Sequence, residues 1–257
     1  MESRKEIEIG YYDKKAEEQL RSNDFKGDFE GFDPFLLESY KFLKDITKEF
    51  AEGKKVLDYG CGNGVHSSWL ADYAKELTGI DLSEKSLQIA KERTANAKFM
   101  KMDAENLNFP DNSFDVVFDG GTFSSLDIEK AFSEIARVLK PDGVLVGIET
   151  LGHNPIANLK RRLNEKTGKR TEWALRHIFK MEYLKLAEDY FGTTQAYYFH
   201  LVSFLAFPFL GSRWGIGLLK MLQAFDKLVL FIMPFLKRYS FKIVFISTIP
   251  KRYEKNI

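Results

Sequence analysis

Short apolar runs alternate with amphipathic stretches from Lys54 onward, and that alternation predicts βαβ units built around a parallel sheet. The runs Val56–Tyr59, Glu76–Ile80, Lys98–Met102, Phe114–Phe118 and Val144–Ile148 read as strands, with helical spacing near 65–75, 84–95 and 127–139. Lys140-Pro141-Asp142-Gly143 closes the last of these helices, because Pro stops it and Asp-Gly turns the chain into the next strand. Upstream, residues 1–50 are polar and helical in tendency, with Phe35, Leu36, Tyr40, Leu43 and Ile46 spaced to form one apolar stripe. Downstream, a helix over Trp173–Phe191, ended by Gly192, precedes two further strands, Thr193–Phe199 and Phe241–Ile249. The segment between those strands is rich in aromatics and leucine.

A length of 257 residues suits one domain, and 44% hydrophobic with 29% charged residues is the composition of a globular chain. The net charge of +1 argues against a global basic field for nucleic acid, although local patches exist. Cys61 is the sole cysteine, which excludes an intrachain disulfide and a multi-cysteine metal site and suits a reducing compartment. Neither a signal-peptide core nor an apolar run of membrane-spanning length is evident, so a cytoplasmic, non-spanning protein is expected.

Chemistry concentrates first at Val56–Gly64, VLDYGCGNG. Gly60, Gly62 and Gly64 permit a tight strand-to-helix turn and close approach of backbone to a ligand, and the following helix would aim free N–H groups at an anionic group. Asp81 ends the second strand in TGIDLS, where a carboxylate can accept from both ribose hydroxyls; a helix cap is the alternative, but Ser83 already offers one. Asp103 and Ala104 end the third strand, where a carboxylate can meet the exocyclic amine of adenine or simply close a surface turn.

Glycine loop, acidic strand end, Asp-Ala strand end, FPDNSFDVVF and VLKPDGVLVGIE follow one another in an order that resembles class I, Rossmann-like S-adenosylmethionine (SAM)-dependent methyltransferases of the small-molecule branch, over roughly residues 36–150. The resemblance implies an α/β fold, a doubly wound seven-stranded sheet in the order 3-2-1-4-5-7-6 with strand 7 antiparallel. It implies one methyltransferase domain over 1–257, comprising an N-terminal helical lid (1–50), a SAM-binding core (51–200), an apolar helical insertion (201–238) and a last strand and tail (239–257). SAM is the implied cofactor and S-adenosylhomocysteine the product. Asp58, Gly60, Cys61, Gly62 and Gly64 would surround the methionine part, Asp81 and Leu82 the ribose, Asp103 and Ala104 the adenine, and Asp119 to Thr122 the opposite side. Tyr11 and Tyr12 resemble a lid in which a tyrosine covers the cofactor, with surface packing as the alternative. DGGTFSS replaces the more usual stretch with a histidine after strand 4, so no catalytic residue transfers onto it. A dinucleotide oxidoreductase is disfavoured because position 65 is Val, and base N-methylation because strand 4 is not followed by DPPY or NPPY.

A sulfonium already carries an activated methyl group, so the protein has mainly to align an acceptor and exclude water, and no metal is required. For a hydroxyl acceptor the candidate bases are His153 past strand 5, His200 at the end of strand 6, and Glu149; packing roles are the alternative for both histidines. Leu159–Arg170 carries six basic residues and one acid, and Arg161, Arg162 and Arg176 are candidate ligands for an anionic acceptor, a solvated loop being the plainer reading. The runs FLAFPFL and LVLFIMPFL lie in a segment, Leu201–Ile257, with nine Lys or Arg against two acids. They suit an anionic membrane surface or a lid over a lipid-linked substrate, against a buried helical subdomain or a dimer contact. The expectation is therefore O-methylation of a small-molecule or lipid-linked acceptor, a phosphate-bearing sugar, surface-glycan or isoprenoid-type precursor. The enzyme would be a monomer or homodimer, cytoplasmic or peripheral at the inner membrane surface, with no nucleic-acid partner favoured. RNA methylation, and SAM binding without transfer, are the alternatives.

Overall fold

The computed structural model describes residues 3–22, 34–159 and 171–251. Seven strands, β1 Lys55–Tyr59, β2 Glu76–Asp81, β3 Lys98–Lys101, β4 Phe114–Asp119, β5 Leu139–Thr150, β6 Phe191–Phe199 and β7 Lys242–Pro250, form one sheet in the order β3-β2-β1-β4-β5-β7-β6. The first five pair in parallel, and β7 runs antiparallel to both β5 and β6. This is the expected seven-stranded, doubly wound arrangement.

Both faces of the sheet are covered, which is why the central strands read as near-continuous apolar runs. Alternation along β1 sends Leu57 and Tyr59 into one core and Val56 into the other. The first core is closed by α5, Ile128–Val138, whose Asp127 N-cap accepts from the Lys130 amide and whose Ile128, Ala131, Phe132 and Ile135 form the buried stripe. Phe132 packs against Phe123 and Phe191, and burying each such ring contributes roughly 1.5–3 kcal/mol. The second core takes Tyr40 and Leu43 of α2 (Glu38–Ala51), Trp69 of α3 (Ser67–Leu70), and Ala206, Leu210 and Leu219 from the segment after β6. α1 (Arg4–Ser22) and α4 (Glu84–Arg93) lie together at the β2 side.

Three local expectations change. Only Ser67–Leu70 of the predicted 65–75 helix is α-helical. The predicted helix Trp173–Phe191 divides into α6 (Glu172–Arg176) and α7 (Met181–Tyr190), because the chain turns at His177–Lys180 to bury Phe179 against Phe245 at 5.3 Å. Gly192 is therefore part of β6 rather than a helix cap, and a Cβ there would stand 2.9 Å from Ile249. Finally, β5 already pairs at Leu139, and Lys140–Gly143 bulges out before pairing resumes between Val116 and Val144. The segment between β6 and β7 holds a 3-10 turn at Ser203–Phe209, α8 at Gly215–Ile232 and a second 3-10 turn at Pro234–Tyr239. Among the described residues no helix is long and apolar enough to cross a membrane.

Candidate active site

A cavity of about 740 Å³ opens at the carboxyl ends of the parallel strands, where open α/β sheets bind their ligands. The turn after β1 forms one wall. Gly60 and Gly64 have φ of +69° and +75°; a Cβ would stand 2.4 Å from Thr122 at the first and 2.9 Å from Ala90 at the second. The loop is thus clamped between the turn after β4 and α4. At Gly62, which lines the cavity with φ +51°, a Cβ would meet no protein atom within 4 Å and would fill open space instead.

Asp81 anchors that turn. Its Oδ2 accepts from the Gly62 amide at 2.9 Å and its Oδ1 from the Ser83 amide at 2.8 Å, while Ser83 Oγ caps α4 by accepting from Ser86 at 3.0 Å. Burial raises the Asp81 pKa, and the backbone amides pull it back. Asp58 sits behind the wall, fully buried, accepting from Ser67 Oγ at 2.5 Å; burial pushes it up to about 7, opposed by that bond and assisted by the charge of Asp81. Burial, then Asp58 and Asp81, push the Cys61 thiol well above its ordinary value, so it remains a protonated, packed side chain.

Along the cavity runs α1. Lys5 pairs with Asp103 and Glu105, Arg4 with Glu105, and Lys85 with Glu17; Ser83 Oγ donates to Asp13 at 2.5 Å, and Asn63 donates to Gln19 at 2.9 Å. Tyr12 lines the cavity and shares a 3.3 Å hydrogen bond with Ser125, whereas Tyr11 stands edge-on to Tyr12 and lies off the wall.

The same cavity is also lined by Tyr40, His66, Glu149, Lys242, Phe207 and Phe241. His66 stacks on Tyr40 at 6.1 Å and leans on Phe118 at 5.3 Å. Its Nδ1 is buried without a hydrogen-bond partner among the described residues. Burial, then the charges of Lys242 and Arg93, lower its pKa to about 4, so the ring is neutral at pH 7. A Cβ on Gly120 would come 2.6 Å from the ring, so this glycine makes room for it. Glu149 Oε1 accepts from the Phe123 amide at 2.8 Å. Burial and then the charge of Glu149 raise the pKa of the neighbouring Asp119 well above its ordinary value.

Of the residues singled out from sequence, the cavity brings together Tyr12, Gly60, Cys61, Gly62, Asp81, Leu82, Asp103, Ala104 and Glu149. Tyr11, Asp58, Gly64 and Asp119 stand behind its wall, with Asp119 accepting from the Thr122 amide at 2.9 Å to close the turn after β4. The two histidine candidates need correction. His200 is buried between Ser39 Oγ at 3.0 Å and Ser203 Oγ at 2.9 Å, away from the cavity, and burial lowers it to about 3. His153 also lies off the wall, where the chain has left β5, and its Nε2 accepts from the Met181 amide at 3.3 Å. Arg176 is exposed and paired with Glu172 one turn away, so it does not reach the cavity. Arg161 and Arg162 lie outside the described residues. Lys5, Tyr40 and Lys242 also line the cavity without having been singled out as site residues, as does His66, whose place directly after the glycine loop suggested packing or capping near it.

Sheet order, glycine turn and strand-end carboxylates together make an arrangement similar to that of class I, Rossmann-like SAM-dependent methyltransferases. Residues 57–147 match the family model described as methyltransferase domain. Over 120 residues the chain is 43% identical to a demethylmenaquinone methyltransferase of Staphylococcus aureus, covering 43% of this chain and 48% of the relative. The chain thus spans about half the length of the curated relatives it matches. Among solved structures it resembles phosphoethanolamine N-methyltransferase 2 of Haemonchus contortus in complex with phosphomonomethylethanolamine and S-adenosylhomocysteine (TM-score 0.56, 22% identity, 82% of this chain and 53% of that one). It also resembles the PH0226 protein of Pyrococcus horikoshii (TM-score 0.54, 20% identity, 88% of this chain and 100% of that one). At these identities the structures establish the fold.

SAM is the cofactor of this class, and the described groups fit it. The open space at Gly62 admits the methionine part, the Asp81 carboxylate has lone pairs beyond its two backbone bonds for a ribose, and Leu82, Met102 and Leu126 give the adenine end apolar walls.

Proposed function

We propose that this chain transfers the methyl group of SAM to a small, largely apolar acceptor with an acidic hydroxyl, seated in the compartment of Tyr40, His66, Glu149, Lys242, Phe207 and Phe241. The observation that carries the reading is that these residues and the glycine loop line one cavity. Bound SAM supplies a methyl group already activated on a sulfonium. Gly60, Cys61 and Gly62 hold its methionine part, Asp81 and Leu82 the ribose, and Asp103 and Ala104 the adenine. Asp103 shares its carboxylate with Lys5, and α1 with Tyr12 covers the donor end as a lid. The Lys85–Glu17 pair that helps fix α1 is exposed, whereas Arg4 and Lys5 anchor the start of the helix on the buried Glu105.

At the acceptor end Glu149 is the proton acceptor, because it lines the cavity whereas Asp119 stands behind the wall. Lys242 stabilises the developing oxyanion. Tyr40, Phe207 and Phe241 enclose the ring or chain of the acceptor and exclude water. The demethylmenaquinone methyltransferases among the relatives support a quinone-type acceptor. A phosphate-bearing sugar has less support, since Arg176 turns to solvent.

The test is transfer of label from methyl-labelled SAM into quinols and phenolic lipids, beside phosphorylated sugars, with SAM binding followed by calorimetry. Glu149→Gln should lose about 10²–10⁴-fold in kcat with SAM affinity unchanged. SAM binding without labelled product from any acceptor pool would overturn transfer, and full activity in Glu149→Gln would overturn the assigned base.

A further inference from the structure

α8 is apolar on both sides. Its inward side buries Leu219 and Leu230 together with Gln223 and Asp226, and Asp226 accepts from the Val202 amide at 2.9 Å and the Ser203 amide at 3.0 Å. The opposite side presents Met221, Phe225, Leu228, Phe231 and Ile232, with Leu228 57% and Phe231 85% exposed. Residues 221, 225, 228 and 232 follow the i, i+4, i+7, i+11 spacing of a single helical face, and Phe235 in the next turn extends it. Contiguous apolar surface of this kind marks an interaction site, since isolated exposed side chains would not keep helical register.

Charge selects the partner. Lys220 and Lys227 lie along one flank of that face, Lys227 paired with Glu38 of α2 at 2.5 Å, and Arg213, Lys237 and Arg238 flank its two ends, all exposed. Between Leu201 and Phe241 the sequence contains one acid, Asp226, and that acid is buried under the opposite side of the helix. The outward surface of this segment therefore carries formal charge of one sign. A symmetric contact between two copies would set lysine flank against lysine flank at an apolar interface. An apolar strip edged by Lys and Arg, on a helix that is not long and apolar enough to span, matches a bilayer interface with anionic head groups.

We propose that the outer face of α8 and the Pro234–Tyr239 turn dock this protein onto anionic lipid bilayers, with the helix in the plane of the interface. The 3-10 turn against which α8 packs contributes Phe207 and Pro208 to the cavity wall, so the docking face backs the compartment assigned to the acceptor. Docking itself does not depend on the transfer reading.

Co-sedimentation of the full chain with phosphatidylcholine vesicles, with and without phosphatidylglycerol, tests the proposal. The expected result is binding to the phosphatidylglycerol vesicles at low salt and release at high salt, because the charge contribution is screened. Lys220→Gln and Arg238→Gln should each weaken binding about fivefold. The double variant Leu228→Ser/Phe231→Ser changes only exposed side chains; it should lose vesicle binding at least tenfold while SAM affinity by calorimetry stays at the wild-type value. Wild-type protein that ignores phosphatidylglycerol vesicles overturns the proposal, as does a double variant that binds them equally well. A wild-type dimer in sedimentation velocity that the double variant abolishes, without vesicle binding, assigns the face to a second copy instead.

Discussion

Asp58 is a buried acid that the fold holds near neutrality, and replacing it by Asn tests the cost of ionising it. Its pKa is pushed up to about 7 from the ordinary 3.8, chiefly by burial. Between those values the native state keeps a proton that the unfolded chain has released. The native state then binds more protons, so unfolding free energy falls as pH rises through this window, by about 1.4 kcal/mol per pH unit for one proton. Over the whole interval the loss approaches about 4 kcal/mol. Asn reproduces the neutral carboxyl: its carbonyl can accept from Ser67 Oγ, as Asp58 Oδ2 does. Urea titrations followed by tryptophan fluorescence, from about pH 4.5 to about pH 7.5, should show the two proteins nearly equal at the acid end. Asp58→Asn should then gain on the wild type by about 1.4 kcal/mol per pH unit up to about pH 6.5. Because only the difference is read, other titrating groups cancel unless they couple to Asp58, as Asp81 does through its charge. Parallel pH profiles would refute the buried, protonated carboxyl, and a variant that lost ground with rising pH would reverse its sign.

Two further substitutions separate the site from its scaffold. Gly62→Ala places a methyl group in open cavity space at φ +51°, so it should cost about 1–2 kcal/mol in strain yet reduce SAM affinity at least tenfold by calorimetry. Wild-type affinity in that variant would remove the loop from the cofactor site. Ser39→Ala deprives buried His200 Nε2 of its partner and should destabilise the fold by about 1–3 kcal/mol, with kcat unchanged at a temperature where the variant is folded. A loss of kcat as large as that of Glu149→Gln would return His200 to the catalytic candidates.

Most strand positions were legible because strands buried on both faces announce themselves as short apolar runs, and β1, β2 and β4 are of that kind. The order of the sheet came from resemblance, since periodicity carries no information about which strand lies beside which. The helical spacing over 173–191 misled because it is nearly continuous through His177. There the tertiary demand wins: the imidazole stacks on Trp173 at 3.7 Å, and the chain reverses to drop Phe179 between Phe123 and Phe245.

The donor half of the cavity could be read in the same way, because its wall residues end successive strands and stand inside contiguous motifs. The half proposed for the acceptor is lined by Tyr40, His66, Glu149, Phe207 and Lys242, which come from α2, the glycine turn, β5, the 3-10 turn and β7 and share no motif. His153 was favoured by chain position alone, two residues beyond Leu151, but once a strand ends the chain is free to leave the cleft, and here its imidazole holds the start of α7. Lys242 illustrates what topology adds. In an antiparallel pair the first residue of one strand faces the last of the other, and the register sets Lys242 opposite Thr150 and Ile243 opposite Glu149. A last strand that runs against its neighbours therefore begins where they end. Given strand 7 antiparallel in the expected sheet, the residue opening that strand belongs at the ligand edge whatever its chemistry, and in this chain that residue is a lysine beside the strand-end carboxylate.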